Sequence, residues 1–291
     1  MAHKYGALLL VDGAQSVAHL STKMFHADDP DANIDALVFS GHKTYTPGSP
    51  GVVIARKDQL IQIEPEEVGG GMVSRVLEDR YMVKDEFPDR EEAGTPNIPG
   101  AIALATTIEI LDRIGMHTLM EEEDKVLDGA LKAMSLIPEI VVYGGADAKA
   151  CPRAASISFN IRGLDHGLVA AVLNDYFNIA VRNQCFCAHP YVKEMMSDEL
   201  SKDFGEIDFG NMSAEFMRKA GMVRASFGLY STEADVAALI IALQDIIDHA
   251  EEYLKEYEIN EDNDYIHKTY RPDHQSLFNI NDEIDQYLRG K

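Results

Sequence analysis

Two short apolar runs constrain this chain most, because each ends in a cluster of polar groups. Ala7-Leu-Leu-Leu-Val11 leads into Asp12-Gly-Ala-Gln-Ser16, and Asp35-Ala-Leu-Val-Phe39 leads into Ser40-Gly-His-Lys-Thr44. Runs this short and this continuous predict fully buried strands of the parallel type. Gly51-Val-Val-Ile-Ala55 predicts a third strand, entered through the turn Thr46-Pro-Gly-Ser-Pro50. Strands whose carboxyl ends carry polar side chains fit an open α/β sheet, in which ligands bind beyond those ends.

Downstream, Gly69-Gly-Gly71 and Gly94-Thr-Pro-Asn97 predict loops near a site or an interface. Ala101 to Met134 has apolar residues at helical spacing, with a break near Gly115. Further strands are expected at Ile140–Tyr143, Ala155–Phe159, Ile179–Arg182 and Val223–Phe227, with helices over Leu168–Phe177 and Glu233–Tyr257. This pattern predicts a first domain over 1–111, a smaller α+β domain over 112–257, and an acidic, loosely ordered tail over 258–291.

Composition narrows the function. The 26 basic and 49 acidic residues leave a formal charge of −23, which argues against nucleic-acid binding, since that requires a basic stripe. No apolar run approaches the roughly 18 residues of a membrane helix. The opening stretch does not read as a secretory signal, because its apolar core is too short. Cys151, Cys185 and Cys187 are too few, and odd in number, for a disulfide framework, which favours a reducing, cytoplasmic setting.

A lone lysine after a strand is ordinarily a surface charge. Lys43 differs in its company: Ser40 and His42 flank it, and the neighbouring strand end offers Asp12 and Gln15. Lysine forms Schiff bases with aldehydes. A pyridoxal phosphate enzyme needs such a lysine together with an acid that keeps the ring nitrogen protonated. Lys43 and Asp12 supply that pair, Gln15 suits the ring hydroxyl, and Ser40 and His42 suit the phosphate.

LLLVDGAQSV followed by VFSGHKTY resembles the class V aminotransferase family of fold-type I pyridoxal phosphate enzymes, in particular its cysteine desulfurase and selenocysteine lyase branch. The resemblance continues through EAGTPN (92–97), IAVRNQCFCAHP (179–190) and VRASFGLYST (223–232), in the family's order and over essentially residues 1 to 250. It implies part of a fold-type I large domain with a mostly parallel sheet, followed by a smaller domain. It also implies that Lys43 binds the cofactor covalently. Asp12 would pair with the ring nitrogen, Gln15 with the ring oxygen, and Ser40 and His42 with the phosphate. Thr95 would reach the cofactor of a second subunit in a homodimer. Arg224, with Arg182 nearby, would hold the substrate carboxylate through its planar fork. Cys187 would be the desulfurase nucleophile, taking sulfur from cysteine or selenium from selenocysteine, releasing alanine, and passing the sulfur to an acceptor protein. A loop near Arg182 would favour a thiolate there.

The chain also departs from the family pattern. Asn183-Gln-Cys-Phe-Cys187 replaces a Gly-His-His-Cys type of run, so no imidazole immediately precedes Cys187. An aminotransferase or another lyase on the same scaffold is the alternative reading. Cys185, Cys187 and His189 have the spacing of a metal cluster, but no second pair of cysteines completes it, so no metal is expected. His19, His26 and His117 show no partner pattern, and Met195–Met196 reads as packing. The family's segment before the Asp12 strand, with its phosphate-cradling helix, is not seen, so the pocket is expected to lack a wall and to bind cofactor weakly or not at all. An inactive fragment that needs a missing N-terminal half is therefore a further alternative.

Overall fold

The computed structural model describes residues 1–145, 153–205, 213–273, 276 and 278–289. Cys151 lies outside the described residues. The chain divides into two compact units, Met1–Lys125 and Val126–Lys291.

In the first unit, β1 (Leu10–Asp12) pairs in parallel with β2 (Ala36–Ser40), and β3 (Gly51–Ala55) pairs antiparallel with β2. β2 is the best-buried strand: Leu37 and Phe39 point into the core at 4% and 7% exposure. β1 differs from the fully buried strand its sequence predicts. It is three residues long, pairs with β2 alone among the described strands, and leaves Leu8 and Leu10 exposed. The physical reason is the open edge: an apolar strand with a neighbour on one side only cannot be covered all round. Val53 and Ile54 of β3 are exposed as well. Asp35, buried at the head of β2, accepts hydrogen bonds from the Leu9 amide (2.8 Å), His3 Nε2 (2.8 Å) and Gln59 Nε2 (3.2 Å). The amide bond foremost, then the His3 bond, holds its carboxyl down at about 2. This carboxylate fixes the entry to β1 against β2.

After the short helix α1 (Lys57–Leu60) and the hairpin β4 (Val73–Val76) and β5 (Tyr81–Val83), the long helical pattern forms α2 (Ile98–Ile114) and α3 (Met116–Ser135), broken at Gly115 as expected. The Asn97 side chain accepts from the Gly100 amide at 3.1 Å and so caps α2. Its Nδ2 donates to Gly48 O at 2.6 Å, tying the turn after Lys43 to the helix start.

The second unit is built on an antiparallel sheet of four strands in the order β6 (Ile140–Val142), β7 (Ser156–Ile161), β9 (Met222–Ser226), β8 (Arg182–Gln184). Its core packs Ile157, Phe159 and Val223 against Val169, Val172 and Leu173 of α4 (His166–Phe177) and Leu243 and Ile246 of α8 (Glu233–Asp248). β8 begins where the expected strand ends. Asn178 turns left-handed to close α4, and the Ile179 amide bonds back to Leu173 O, so the first residues after the helix serve its exit rather than the sheet. A smaller cluster gathers Cys185, Val192 of α5 (His189–Met195), Leu200 of α6 (Ser197–Phe204) and Phe216 of α7 (Ala214–Lys219). Of Met195–Met196, read as packing, Met196 is buried in this cluster while Met195 is exposed.

The helix expected over Glu233–Tyr257 is two helices, α8 and α9 (Ala250–Glu256), meeting at His249. The start of the acidic tail, expected to be loosely ordered, folds into the hairpin β10 (Tyr257–Ile259) and β11 (Tyr265–His267). Three of its rings explain why. Tyr257 Oη donates to Asp175 at 2.9 Å, Tyr265 Oη donates to Asp165 at 2.6 Å, and His267 Nε2 lies 2.8 Å from Tyr176 Oη. An exposed helix, α10 (Ile280–Arg289), follows. Among the described residues no helix is long and apolar enough to cross a membrane.

Candidate active site

In the first unit, parallel pairing brings the two polar strand ends to one end of the sheet. Asp12 stands opposite Val38, and the Gly13 amide donates to Val38 O at 2.7 Å. The Asp12 carboxylate accepts from the Ala14 amide at 2.9 Å and starts the turn that exposes Gln15. Ser40 ends β2 half-buried, and Gly41-His42-Lys43 makes one tight 3-10 turn. Gly41 is buried against the loop after it: a side-chain carbon there would collide with Ser49 Oγ and lie 2.9 Å from Pro50 O. His42 and Lys43 therefore turn outward. Both are exposed, and Lys43 has neither hydrogen bond nor ion pair among the described residues. Asp12, Gln15, Ser40, His42 and Lys43 thus share one sheet end. Thr95 stands apart, on the exposed loop between Gly94 and the Asn97 cap.

In the second unit, antiparallel pairing sets Arg182 directly opposite Arg224. Two like charges in that position repel. Burial first, and the Arg182 charge second, push the Arg224 guanidinium below its usual range, with Cys187 acting in the opposite sense. Arg224 Nε is buried with no hydrogen-bond partner, and neither arginine has an ion pair among the described residues. The Phe186 ring covers Arg224, with Cζ 5.1 Å from the ring centroid. This arrangement is an unpaid cationic site, and a carboxylate in plane with the guanidinium would satisfy it.

Cys187 is exposed at the end of a tight backbone excursion. Gln184, Phe186 and Cys187 all adopt left-handed conformations, with φ of 76°, 50° and 65°. Such backbone is strained for side chains of this size and concentrates at functional loops. It aims Cys187 outward while Cys185 turns inward, where its thiol donates to Ala220 O at 3.4 Å. Burial pushes the Cys185 thiol up. Cys185 is therefore structural. Among the described residues no group of three or more histidine, cysteine or acidic side chains is placed to hold a metal.

Sequence reasoning missed Phe186. The structure packs its ring on the Arg224 guanidinium. No signal in the sequence marks it, since contact with Arg224 depends on a left-handed loop and on β8–β9 pairing. His19, read as an ordinary residue, is hydrogen-bonded to buried Glu123, whereas His117 contacts Glu121 at the surface. The His26 amide donates to Asn33 Oδ1.

Comparison with known proteins fits this geometry. The family model described as aminotransferase class-V matches residues 1–239. A cysteine desulfurase of Escherichia coli (strain E2348/69) is 32% identical over 247 residues, covering 84% of this chain and 52% of that protein. A cysteine desulfurase of Klebsiella pneumoniae (strain 342) is 33% identical over the same length and coverage. Among solved structures, the apo cysteine desulfurase of Thermococcus onnurineus superposes with a TM-score of 0.68 at 31% identity, covering 85% of this chain and 54% of that one. The Escherichia coli cysteine desulfurase CsdA gives 0.66 at 28%, covering 85% and 53%. The chain spans about half the length of the curated relatives it matches. With a family model matched over most of its residues, the chain belongs to the aminotransferase class-V family, whose enzymes depend on pyridoxal phosphate.

Proposed function

We propose that this chain carries the catalytic lysine and the sulfur-accepting cysteine of a cysteine desulfurase. The observation that carries the reading is the pairing of Arg182 with Arg224 beside Cys187, with the buried Arg224 Nε lacking a partner. The pair suits the carboxylate of an amino acid, and the exposed thiol next to it suits that amino acid's sulfur. The first unit fits the cofactor: an exposed Lys43 amine, unpaired among the described residues, and the Asp12 carboxylate share one sheet end with Gln15, Ser40 and His42. When bound, pyridoxal phosphate supplies an aldehyde for a lysine and a ring that withdraws electrons from the amino acid.

Each residue then has a task. Lys43 anchors the cofactor and can move a proton through its amine. Asp12 keeps the ring nitrogen protonated. Gln15 hydrogen-bonds the ring oxygen, while Ser40 and His42 hold the phosphate. Arg224 orients the carboxylate with help from Arg182, and Phe186 shields that contact from water. Cys187 takes the sulfur as a persulfide, alanine is the product, and an acceptor protein removes the sulfur. Cysteine is the preferred substrate, with selenocysteine as its close analogue. Thr95 serves a second subunit's cofactor in a homodimer. The free thiols at Cys185 and Cys187 fit a reducing cytoplasm.

Among the described strands, β1 has a sheet neighbour on one side only, and Leu8 and Leu10 are exposed there. That open edge also favours a second reading, in which the chain acts only after pairing with the part of the enzyme that its relatives carry in addition. Alanine release from cysteine, measured with wild type and Cys187→Ala, tests the function. Loss of alanine and of protein-bound persulfide in the variant is expected. Turnover unaffected by Cys187→Ala would favour an aminotransferase or another lyase.

A further inference from the structure

One buried carboxylate is not used by the proposed chemistry. Glu123 of α3 is 6% exposed. His19 Nδ1 lies 2.9 and 3.0 Å from its two oxygens, and Tyr45 Oη approaches Oε1 at 3.5 Å. The His19 and Tyr45 rings meet edge-on at 6.4 Å. The two partners come from different places in the sequence. His19 closes the turn that starts at Asp12 and contains Gln15, with its amide bonded to Ser16 O and that of Leu20 bonded to Ser16 O as well. Tyr45 follows Lys43 by two residues in left-handed backbone, between buried Thr44 and Thr46. Thr44 and Thr46 both donate to Gly41 O.

We propose that Glu123 is a positioning residue that sets the Asp12–Gln15 turn in register with the Lys43 turn. The inference rests on the reading of Asp12, Gln15 and Lys43 as cofactor groups. Parallel pairing fixes Asp12 opposite Val38, but Gln15 and Lys43 lie in turns beyond the last paired residues, and those turns need a common anchor. The Glu123 carboxylate provides it, holding one turn through an imidazole and the other through a phenol. Because both partners donate to the same carboxylate, loss of Glu123 releases both turns together, whereas loss of Tyr45 or His19 releases one.

The test compares the full chain with Glu123→Leu, which keeps the volume and removes the acceptors, and Glu123→Gln, which keeps one oxygen. Amide hydrogen exchange is read at His19 and Leu20, at Thr44 and Thr46, and in β7 as a control. The expected result is faster exchange, by roughly tenfold or more, in both turns at once in Glu123→Leu, with β7 unchanged and substantial rescue in Glu123→Gln. Unchanged exchange in either turn overturns the clamp, as does acceleration that includes β7 or that Glu123→Gln fails to rescue. This readout needs no cofactor, so it stands even if the cofactor reading fails. The functional half is read by trapping added pyridoxal phosphate with cyanoborohydride and mapping the modified lysines. Glu123→Leu is expected to lower labelling of Lys43 relative to Lys57 by roughly fivefold or more, with recovery in Glu123→Gln. A ratio that Glu123→Leu leaves unchanged removes the link to Lys43. A wild-type chain with no preference for Lys43 would count against the cofactor reading alone.

Discussion

Replacing Gly221 with alanine should disturb the strand that leads into the Cys187 loop, and the size of the effect can be worked from the coordinates. A side-chain carbon at Gly221 would collide with His166 Nε2, lie 2.6 Å from His166 Cδ2, and lie 2.9 Å from the Cα of Gln184. Carbon contacts begin near ~3.5 Å, so the imidazole would have to retreat by about 0.9 Å and the β8 backbone by about 0.6 Å. Neither can do so freely. His166 is 5% exposed inside the α4 packing, and Gln184 meets the intruder with main chain rather than a rotatable side chain. Overpacking of this kind costs about 1–3 kcal/mol. Urea unfolding of wild type and Gly221→Ala measures that loss. The rate at which a disulfide reagent modifies Cys187 reports whether β8 has moved, with buried Cys185 as the slow internal reference. The double variant Gly221→Ala/His166→Ala should regain part of the lost stability by removing the ring, and the non-additivity is the signature of contact. Equal unfolding midpoints and equal Cys187 rates in wild type and Gly221→Ala would refute the reasoning.

Other expectations follow from single groups. Burial lowers His166 from 6.5 to about 4, against the opposing Asp165 charge, so the folded chain binds fewer protons than the unfolded one between those values. Its contribution is therefore complete above about pH 6.5 and falls away as pH drops toward 4, by about 3 kcal/mol in all; His166→Gln should flatten that part of a pH–stability curve. Asp35 acts lower, since its carboxyl falls from 3.8 to about 2, and Asp35→Asn should remove stability lost between those values. Arg224→Lys keeps the charge and loses the planar fork, so the KM for cysteine should rise by roughly tenfold or more, with a smaller change in kcat. An absorbance titration with pyridoxal phosphate should show a visible band that Lys43→Ala abolishes. An equal band in Lys43→Ala would show that this lysine does not hold the cofactor.

The parts of this account that were legible in the sequence are those set by local pattern. β2 and its Ser40–Lys43 turn, the break at Gly115, and β9 with Arg224 all follow from apolar runs and from the residues that end them. The parts that were not legible depend on pairing over distance. That Arg182 faces Arg224 is a fact of β8–β9 register between segments some forty residues apart, and the same register lets Phe186 cover a guanidinium. β1 misled because a run of leucines specifies a wish for burial and not the neighbours that provide it. The tail misled because its acidic composition masks Tyr257 and Tyr265, whose hydroxyls find carboxylates on and beside α4. Glu123 was invisible for a related reason, since its partner His19 lies 104 residues away.

The central claim is that Lys43 and Cys187 are the two reacting groups of one chemistry. Peptide mass spectrometry tests it most directly, on the full chain incubated with excess pyridoxal phosphate and cysteine and then split between borohydride reduction and thiol alkylation. The account predicts a reduced cofactor adduct concentrated on Lys43 and an additional sulfur on Cys187, with Cys185 unmodified. Adducts spread evenly over the exposed lysines, or extra sulfur on Cys185 with none on Cys187, would contradict it.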